Sequence, residues 1–159
     1  MRILGIDPGI GRLGWGMIAK QNRTVTPLKF GFIETKKNTE KGERLADIYR
    51  ELRARVRELA PDLIAVEELF FSKNITTAMS VAEARGVVLL VAAQAKVPVV
   101  AYSPMSVKAA LGFGGAKKKQ VGEMVKMLLG IKEKFVYDDV ADALAVAICA
   151  AQKTKSLDY

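Results

Sequence analysis

The chain contains no histidine and only one cysteine, Cys149, among its 159 residues. Without histidine, Ser-His-Asp catalysis, Cys-His catalysis and the common histidine-containing zinc sites are excluded. One cysteine cannot form an intrachain disulfide, which favours a reducing, cytoplasmic location. Cys149 lies in an alanine-rich helical pattern, where a small buried side chain is a better interpretation than a nucleophile. Any acid–base or metal chemistry must therefore rest on carboxylates, lysines or tyrosines.

Long hydrophobic runs are also lacking. The longest one, from Val87 to Ala95, is interrupted by Gln94 and is shorter than the ~20 residues that a membrane-spanning helix needs. The N-terminus runs directly into a strand pattern that contains Asp7, unlike a secretory signal peptide. We therefore expect a cytoplasmic protein without a membrane partner.

Positive charge is in excess. The chain has 25 Lys and Arg against 17 Asp and Glu, a formal net charge of +8. Each Lys or Arg that neutralises a phosphate releases a condensed counterion, so this excess favours a nucleic-acid partner. A basic surface that serves only solubility is the alternative.

Apolar periodicity predicts five strands and five helices. The strands are expected at residues 2–7, 13–19, 28–34, 62–67 and 98–102, and the helices at about 41–59, 74–96, 103–112, 120–129 and 138–152. Short turns join the first three strands, so we expect them to be antiparallel, whereas helices separate the last two, which we expect to be parallel. The fold class is therefore α/β: one domain over residues 1–159, with a mixed five-stranded sheet flanked by helices.

The helix expected over residues 74–96 has an unusual pattern. From Gly86 to Ala93 it is apolar nearly all round, so we expect burial on more than one side. Either a second copy of the chain covers this segment, or the sheet and the final helix enclose it within one chain.

Three acids stand where acids are uncommon. Asp7 ends the apolar first strand, Glu67 ends the apolar fourth strand, and Asp142 is the one charge in the helical segment VADALAVAICAA. Less specific explanations exist for the first two, since an Asp can cap a Pro-Gly turn and a strand-terminal Glu commonly enters solvent. Glu68 would point to the opposite face from Glu67, so only one of the pair can join Asp7.

A fourth acid, Asp139, lies one helical turn before Asp142 and on the same face. First-turn acids also favour the helix dipole, which is the simpler explanation for Asp138 and Asp139. Four carboxylates on three elements, with no histidine, suit a hard divalent cation such as Mg²⁺. Two such ions can activate a water and stabilise the departing 3′ oxygen of a phosphodiester.

Five motifs resemble one known family in order and spacing along essentially the whole chain. They are GIDPG with a following GWG (5–16), AVEELFFSKN (65–74), EARG (83–86), YSPMSVK (102–108) and DDVADALAVAI (138–148). This set resembles the RuvC Holliday-junction resolvases. The resemblance implies an RNase H-like fold, a homodimer, and symmetrical nicking of four-way DNA junctions that depends on Mg²⁺ or Mn²⁺, with two ions expected in each site.

The resemblance also assigns roles to individual residues. The catalytic and metal-ligating acids of the family fall on Asp7, Glu67, Asp139 and Asp142, and its DNA-contacting residues fall on Phe70, Lys108 and Lys118. The alignment can slip by one through the glycine-rich loop, so Lys117 or Lys119 is an alternative to Lys118. A solvated lysine run and a core position for Phe70 are the simpler explanations of these residues. The family also suggests contact with a branch-migration complex of RuvA and RuvB, although no motif in this chain reports it.

Two other functions compete with this hypothesis. An ATPase of the actin and sugar-kinase type also opens with a strand followed by Asp-x-Gly, but it needs a second domain for which this chain has no room. A junction-binding protein that has lost catalysis is the other, and the complete set of four acids argues against it.

Overall fold

A five-stranded mixed sheet forms the centre of the structure, a computed structural model that describes residues 1–69, 75–112 and 118–154. The elements are β1 (Arg2–Asp7), β2 (Arg12–Gln21), β3 (Thr24–Glu34), α1 (Lys41–Leu59), β4 (Leu63–Glu67), α2 (Ile75–Ala95), β5 (Val99–Tyr102), α3 (Pro104–Ala110), α4 (Lys118–Leu129) and α5 (Asp138–Lys153). The strand order is β3-β2-β1-β4-β5. β1 to β3 are antiparallel, while β1, β4 and β5 are mutually parallel. The predicted sheet is confirmed.

The two faces of the sheet carry separate apolar clusters, because side chains alternate along a strand. On one face Leu4 and Ile6 of β1 pack against α1 and α2. On the other face Ile3 of β1 and Ala65 of β4 pack against α3, α4 and α5. The helices therefore cover both faces, which explains why β1 and β4 read as nearly continuous apolar runs.

Helix α5 crosses its face of the sheet at very close range. A Cβ on Gly5 would collide with the backbone of Ala143, one on Gly14 with the backbone of Asp139, and one on Gly16 with the Leu144 side chain. The glycines of β1 and β2 are thus required by the approach of α5. Cys149 of α5 is fully buried, and burial raises the pKa of its thiol, as expected for a core residue.

Helix α3 begins as its sequence predicts. The hydroxyl of Ser103 accepts a hydrogen bond from the backbone N–H of Ser106 at 3.2 Å, and Pro104 occupies the first helical position. Asn74, the first residue of the helix predicted over residues 74–96, lies outside the described residues.

Helix α2 departs from the expectation that it is buried on more than one side. Ala84, Val88 and Val91 pack against the α1 face of the sheet, whereas Leu89 and Leu90 are exposed. The idea that the sheet and the final helix enclose α2 is wrong, since α5 lies on the opposite face. Residues Ala78–Ala95 are long and apolar enough to cross a membrane by length and composition, and 22% of that segment is buried within the chain. The helix of a soluble protein can also reach this length and composition, and the expectation of no membrane partner stays a prediction.

Candidate active site

Asp7 and Glu67 reach the same edge of the sheet because of the strand register. Gly5 pairs with Ala65 in the parallel β1–β4 ladder. Two residues further along each strand, Asp7 and Glu67 end β1 and β4 on the face that α5 covers. Both side chains are partly buried. Carboxyl ends of parallel strands are the usual location of sites in open α/β sheets.

Asp142 completes a cavity with these two acids. The cavity measures about 390 Å³ and is open to solvent, and Asp7, Glu67, Asp142 and Lys108 contribute to its wall. The remaining lining residues are Pro104, Val107, Leu111, Val121 and Ala145. Three carboxylates from three elements therefore share one cavity with a lysine, on an otherwise apolar wall.

Asp139 does not line this cavity. Its Oδ2 instead accepts a hydrogen bond from the Nη1 of Arg12 at 3.1 Å. The Nη2 of Arg12 donates to Glu34 at 3.0 Å, and the guanidinium lies 3.4 Å from the ring centroid of Tyr137. The two carboxylate hydrogen bonds, Glu34 first and Asp139 second, raise the pKa of Arg12. The structure thus brings together three of the four predicted acids and holds the fourth in an ion pair.

The donor chemistry of the cavity fits a hard divalent cation, because carboxylate oxygens are the ligands that Mg²⁺ and Mn²⁺ prefer. The residue types of the cavity wall therefore fit a metal centre. Across residues 1–69, 75–112 and 118–154, no three acidic or cysteine side chains stand close enough together to hold one metal ion.

The structure describes some of the predicted DNA-contacting residues but not others. Lys108 lies on α3 and lines the acidic cavity. Phe70 and the alternative Lys117 lie outside the described residues. Of Lys118 and Lys119 only the helical backbone is described, at the start of α4. Glu68 is exposed, and its backbone N–H donates to the carbonyl of Tyr102 at 2.8 Å.

Arg12, Glu34 and Tyr137 did not stand out in the sequence. Arg12 could have been noticed as a basic residue next to the glycines of the β1–β2 turn. Arginine has no conformational advantage in a turn, so its presence there indicates another role. Its partners could not be found in this way. Glu34 pairs with Arg12 across β2 and β3, and Tyr137 precedes α5, so only the folded chain joins them.

Residues 3–150 match the family model described as crossover junction endodeoxyribonuclease RuvC. The chain belongs to the RuvC family. The resemblance carried by the five motifs is therefore confirmed, and the chain is assigned to a family of junction-resolving endonucleases rather than to the actin-type ATPases.

Curated RuvC proteins align with nearly the full length of the chain. The crossover junction endodeoxyribonuclease RuvC of Desulfitobacterium hafniense is 48% identical over 159 residues, covering 99% of this chain and 96% of the relative. That of Chloroflexus aggregans is 47% identical over 158 residues, covering 99% and 96%.

Solved structures agree with this assignment. Thermus thermophilus RuvC in complex with Holliday junction substrate superposes with a TM-score of 0.85 at 37% identity, over 95% of this chain and 93% of that one. A yeast mitochondrial Holliday junction resolvase has a TM-score of 0.70 at 20% identity, over 94% and 77%, which is a likeness of fold. The predicted RNase H-like fold is confirmed.

Proposed function

We propose that this protein resolves four-way DNA junctions by metal-dependent hydrolysis of phosphodiester bonds. It would nick two strands symmetrically and leave 5′-phosphate and 3′-hydroxyl ends, in recombination and repair. The observation that carries the proposal is the cavity shared by Asp7, Glu67, Asp142 and Lys108 in a chain of the RuvC family. The family membership and the overall positive charge support a DNA substrate.

The proposed cofactor is Mg²⁺ or Mn²⁺, with two ions in each site. Asp7, Glu67 and Asp142 would hold it from the cavity wall, and Asp139 would join them as the fourth ligand. A bound divalent cation supplies an activated water and a positive charge beside the departing 3′ oxygen. The protein orients the acids: β1 and β4 fix two of them, and the close approach of α5 brings the third.

Lys108 is proposed to bind a phosphate beside the scissile bond. It is the lysine of α3 that shares the cavity with the carboxylates, so its ammonium can offset the repulsion between those carboxylates and DNA. Lys118 and Phe70 keep the roles that the resemblance gives them, a second phosphate contact and stacking on a base near the crossover.

A second copy of this chain is proposed to cover α2. The exposed residues Leu89 and Leu90 follow one another on a helix whose Ala78–Ala95 segment is 22% buried. A patch of this kind usually marks an interface, and closed two-fold dimers are the commonest soluble assemblies. Two sites related by a two-fold axis would also supply the symmetric pair of nicks. The contact with RuvA and RuvB remains an expectation from the family, as does a cytoplasmic location.

A synthetic four-way junction tests the function directly. With Mg²⁺ present we expect paired nicks in strands of like polarity, and without Mg²⁺ we expect binding alone. A protein that binds the junction but never cuts it, with Mg²⁺ or with Mn²⁺, would be the junction-binding protein of the alternative hypothesis. If the protein nicked linear duplex DNA as fast as the junction, the proposed specificity for junctions would be refuted.

A further inference from the structure

Arg12 makes contacts with residues of three other parts of the chain, β3, the first turn of α5 and the residue before α5. It begins β2, pairs across the sheet with Glu34 of β3, and reaches Asp139 in the first turn of α5. Its guanidinium lies over the ring of Tyr137, which in turn contacts Phe32 edge-on at 4.8 Å between ring centroids.

The side chain of Asp139 is held by Arg12 within this arrangement. Asp142 lies one turn further along α5, on the same helix face, and lines the cavity. Rotation of the Asp139 side chain away from Arg12 could therefore turn it toward the same set of carboxylates. The hydrogen bond to Arg12 opposes that movement. A cation bound by all four acids would also come close to the positive guanidinium, which repels it.

We propose that Arg12 is a positioning residue that holds Asp139 out of the metal site until a divalent cation competes for it. The inference rests on the proposed function. In this proposal Arg12 sets the concentration of divalent cation that is needed before all four carboxylates bind it. Glu34 and Tyr137 would keep the guanidinium in place after Asp139 leaves.

The exposure of the pair makes the exchange feasible. The side chains of Arg12 and Asp139 are 29% and 31% exposed, so water screens their attraction. Ion pairs of this kind contribute little free energy, which a multiply charged cation can exceed. Loss of Arg12 should therefore strengthen cation binding by about two- to fivefold.

The effect of Arg12 on cation affinity can be measured by Mn²⁺ binding, without any DNA cleavage. The full-length protein is titrated with Mn²⁺ in the absence of DNA, and free Mn²⁺ is quantified by electron paramagnetic resonance. Arg12→Gln should bind Mn²⁺ about two- to fivefold more tightly than the wild type. Arg12→Lys retains the charge and should stay close to the wild type. Arg50→Gln is the matched control, because Arg50 pairs with Asp47 on α1, on the other face of the sheet.

A double-mutant cycle with Asp139→Asn separates the pair from charge acting at long range. If Arg12 acts through Asp139, Arg12→Gln should change Mn²⁺ affinity much less in the Asp139→Asn background. The proposal would be overturned if Arg12→Gln increased Mn²⁺ affinity equally in both backgrounds. It would also be overturned if Arg12→Gln and Arg12→Lys increased the affinity equally, or if Arg12→Gln did not increase it. If the wild type binds no Mn²⁺ and cuts no junction, the proposed function itself fails and this inference fails with it.

Discussion

The backbone carbonyl of Asp139 occupies the space in which a side chain on Gly14 would stand. Gly14 pairs with Asp7 across β1 and β2, so this contact brings the first turn of α5 directly over the strand end that carries an acid. A glycine in β2 therefore fixes how close two of the predicted site residues can lie. Its function is packing, since its φ angle is not positive.

Gly14→Ala should destabilise the protein. The added methyl group meets backbone, which cannot rotate away, so α5 must shift, at a cost of about 1–3 kcal/mol typical of overpacking. Urea unfolding measures the change. Gly42→Ala is the control, because nothing lies within 4 Å of that position in α1, and alanine there should leave stability unchanged or raise it by up to about 1 kcal/mol. Equal stability of both variants would contradict the packing argument.

Asp7→Asn should abolish junction cleavage and leave junction affinity within a few-fold of the wild type. The substitution removes a proposed metal ligand, whereas it removes no phosphate contact. Glu67→Gln and Asp142→Asn should behave alike, as judged by nicking assays and gel shifts on one junction. Glu68→Gln is the matched control and should keep most activity, because Glu68 is exposed. A Glu68 variant as inactive as the Glu67 variant would show that the wrong acid was chosen.

The sequence was sufficient for the number and order of the strands and for the face on which Asp7 and Glu67 lie, because period-two alternation is a local property. It missed the start of β3, which begins at Thr24 rather than at residue 28. It was not sufficient for Asp139. Helical spacing places this residue on the same face as Asp142, but Asp142 lines the cavity whereas Asp139 pairs with Arg12 of β2, which is distant in sequence. The burial of α2 was also mispredicted. An apolar pattern reports that a helix needs a partner, not whether that partner lies in the same chain.

Junction affinity should fall steeply with salt, and Lys108→Ala should make the log–log salt dependence shallower by about one, in line with one lost phosphate contact. We expect the same of Lys118→Ala. Fluorescence anisotropy at several salt concentrations gives the slopes. Lys29→Ala serves as the control, because Lys29 pairs with Glu58 away from the cavity. Unchanged slopes in both lysine variants would remove the support for these contacts.

Phe70→Ala should impair junction cleavage while the protein stays folded. Stacking of an aromatic ring on a base contributes about 1–3 kcal/mol, and Phe70→Trp, which retains a ring, should be milder. Circular dichroism and cleavage rates are measured on the same preparations. If Phe70→Ala unfolds most of the protein and the folded fraction cuts at the normal rate, Phe70 is a core residue and does not stack on DNA.

Leu90→Glu should separate the proposed dimer into folded monomers. Leu90 is 50% exposed in the single chain, so a carboxylate there meets water in the monomer and an apolar surface in the dimer. Val87, in contrast, packs against the core, and charge there would unfold the chain without testing the interface. Met127→Glu on α4 is the control, because Met127 is 69% exposed and lies on an element of the opposite sheet face. Sedimentation should give a dimer for the wild type and for Met127→Glu, and a monomer for Leu90→Glu that still binds a junction but leaves unpaired nicks. A wild-type chain that is monomeric at micromolar concentration and still cuts both strands in concert would refute the two-site explanation of symmetric cleavage.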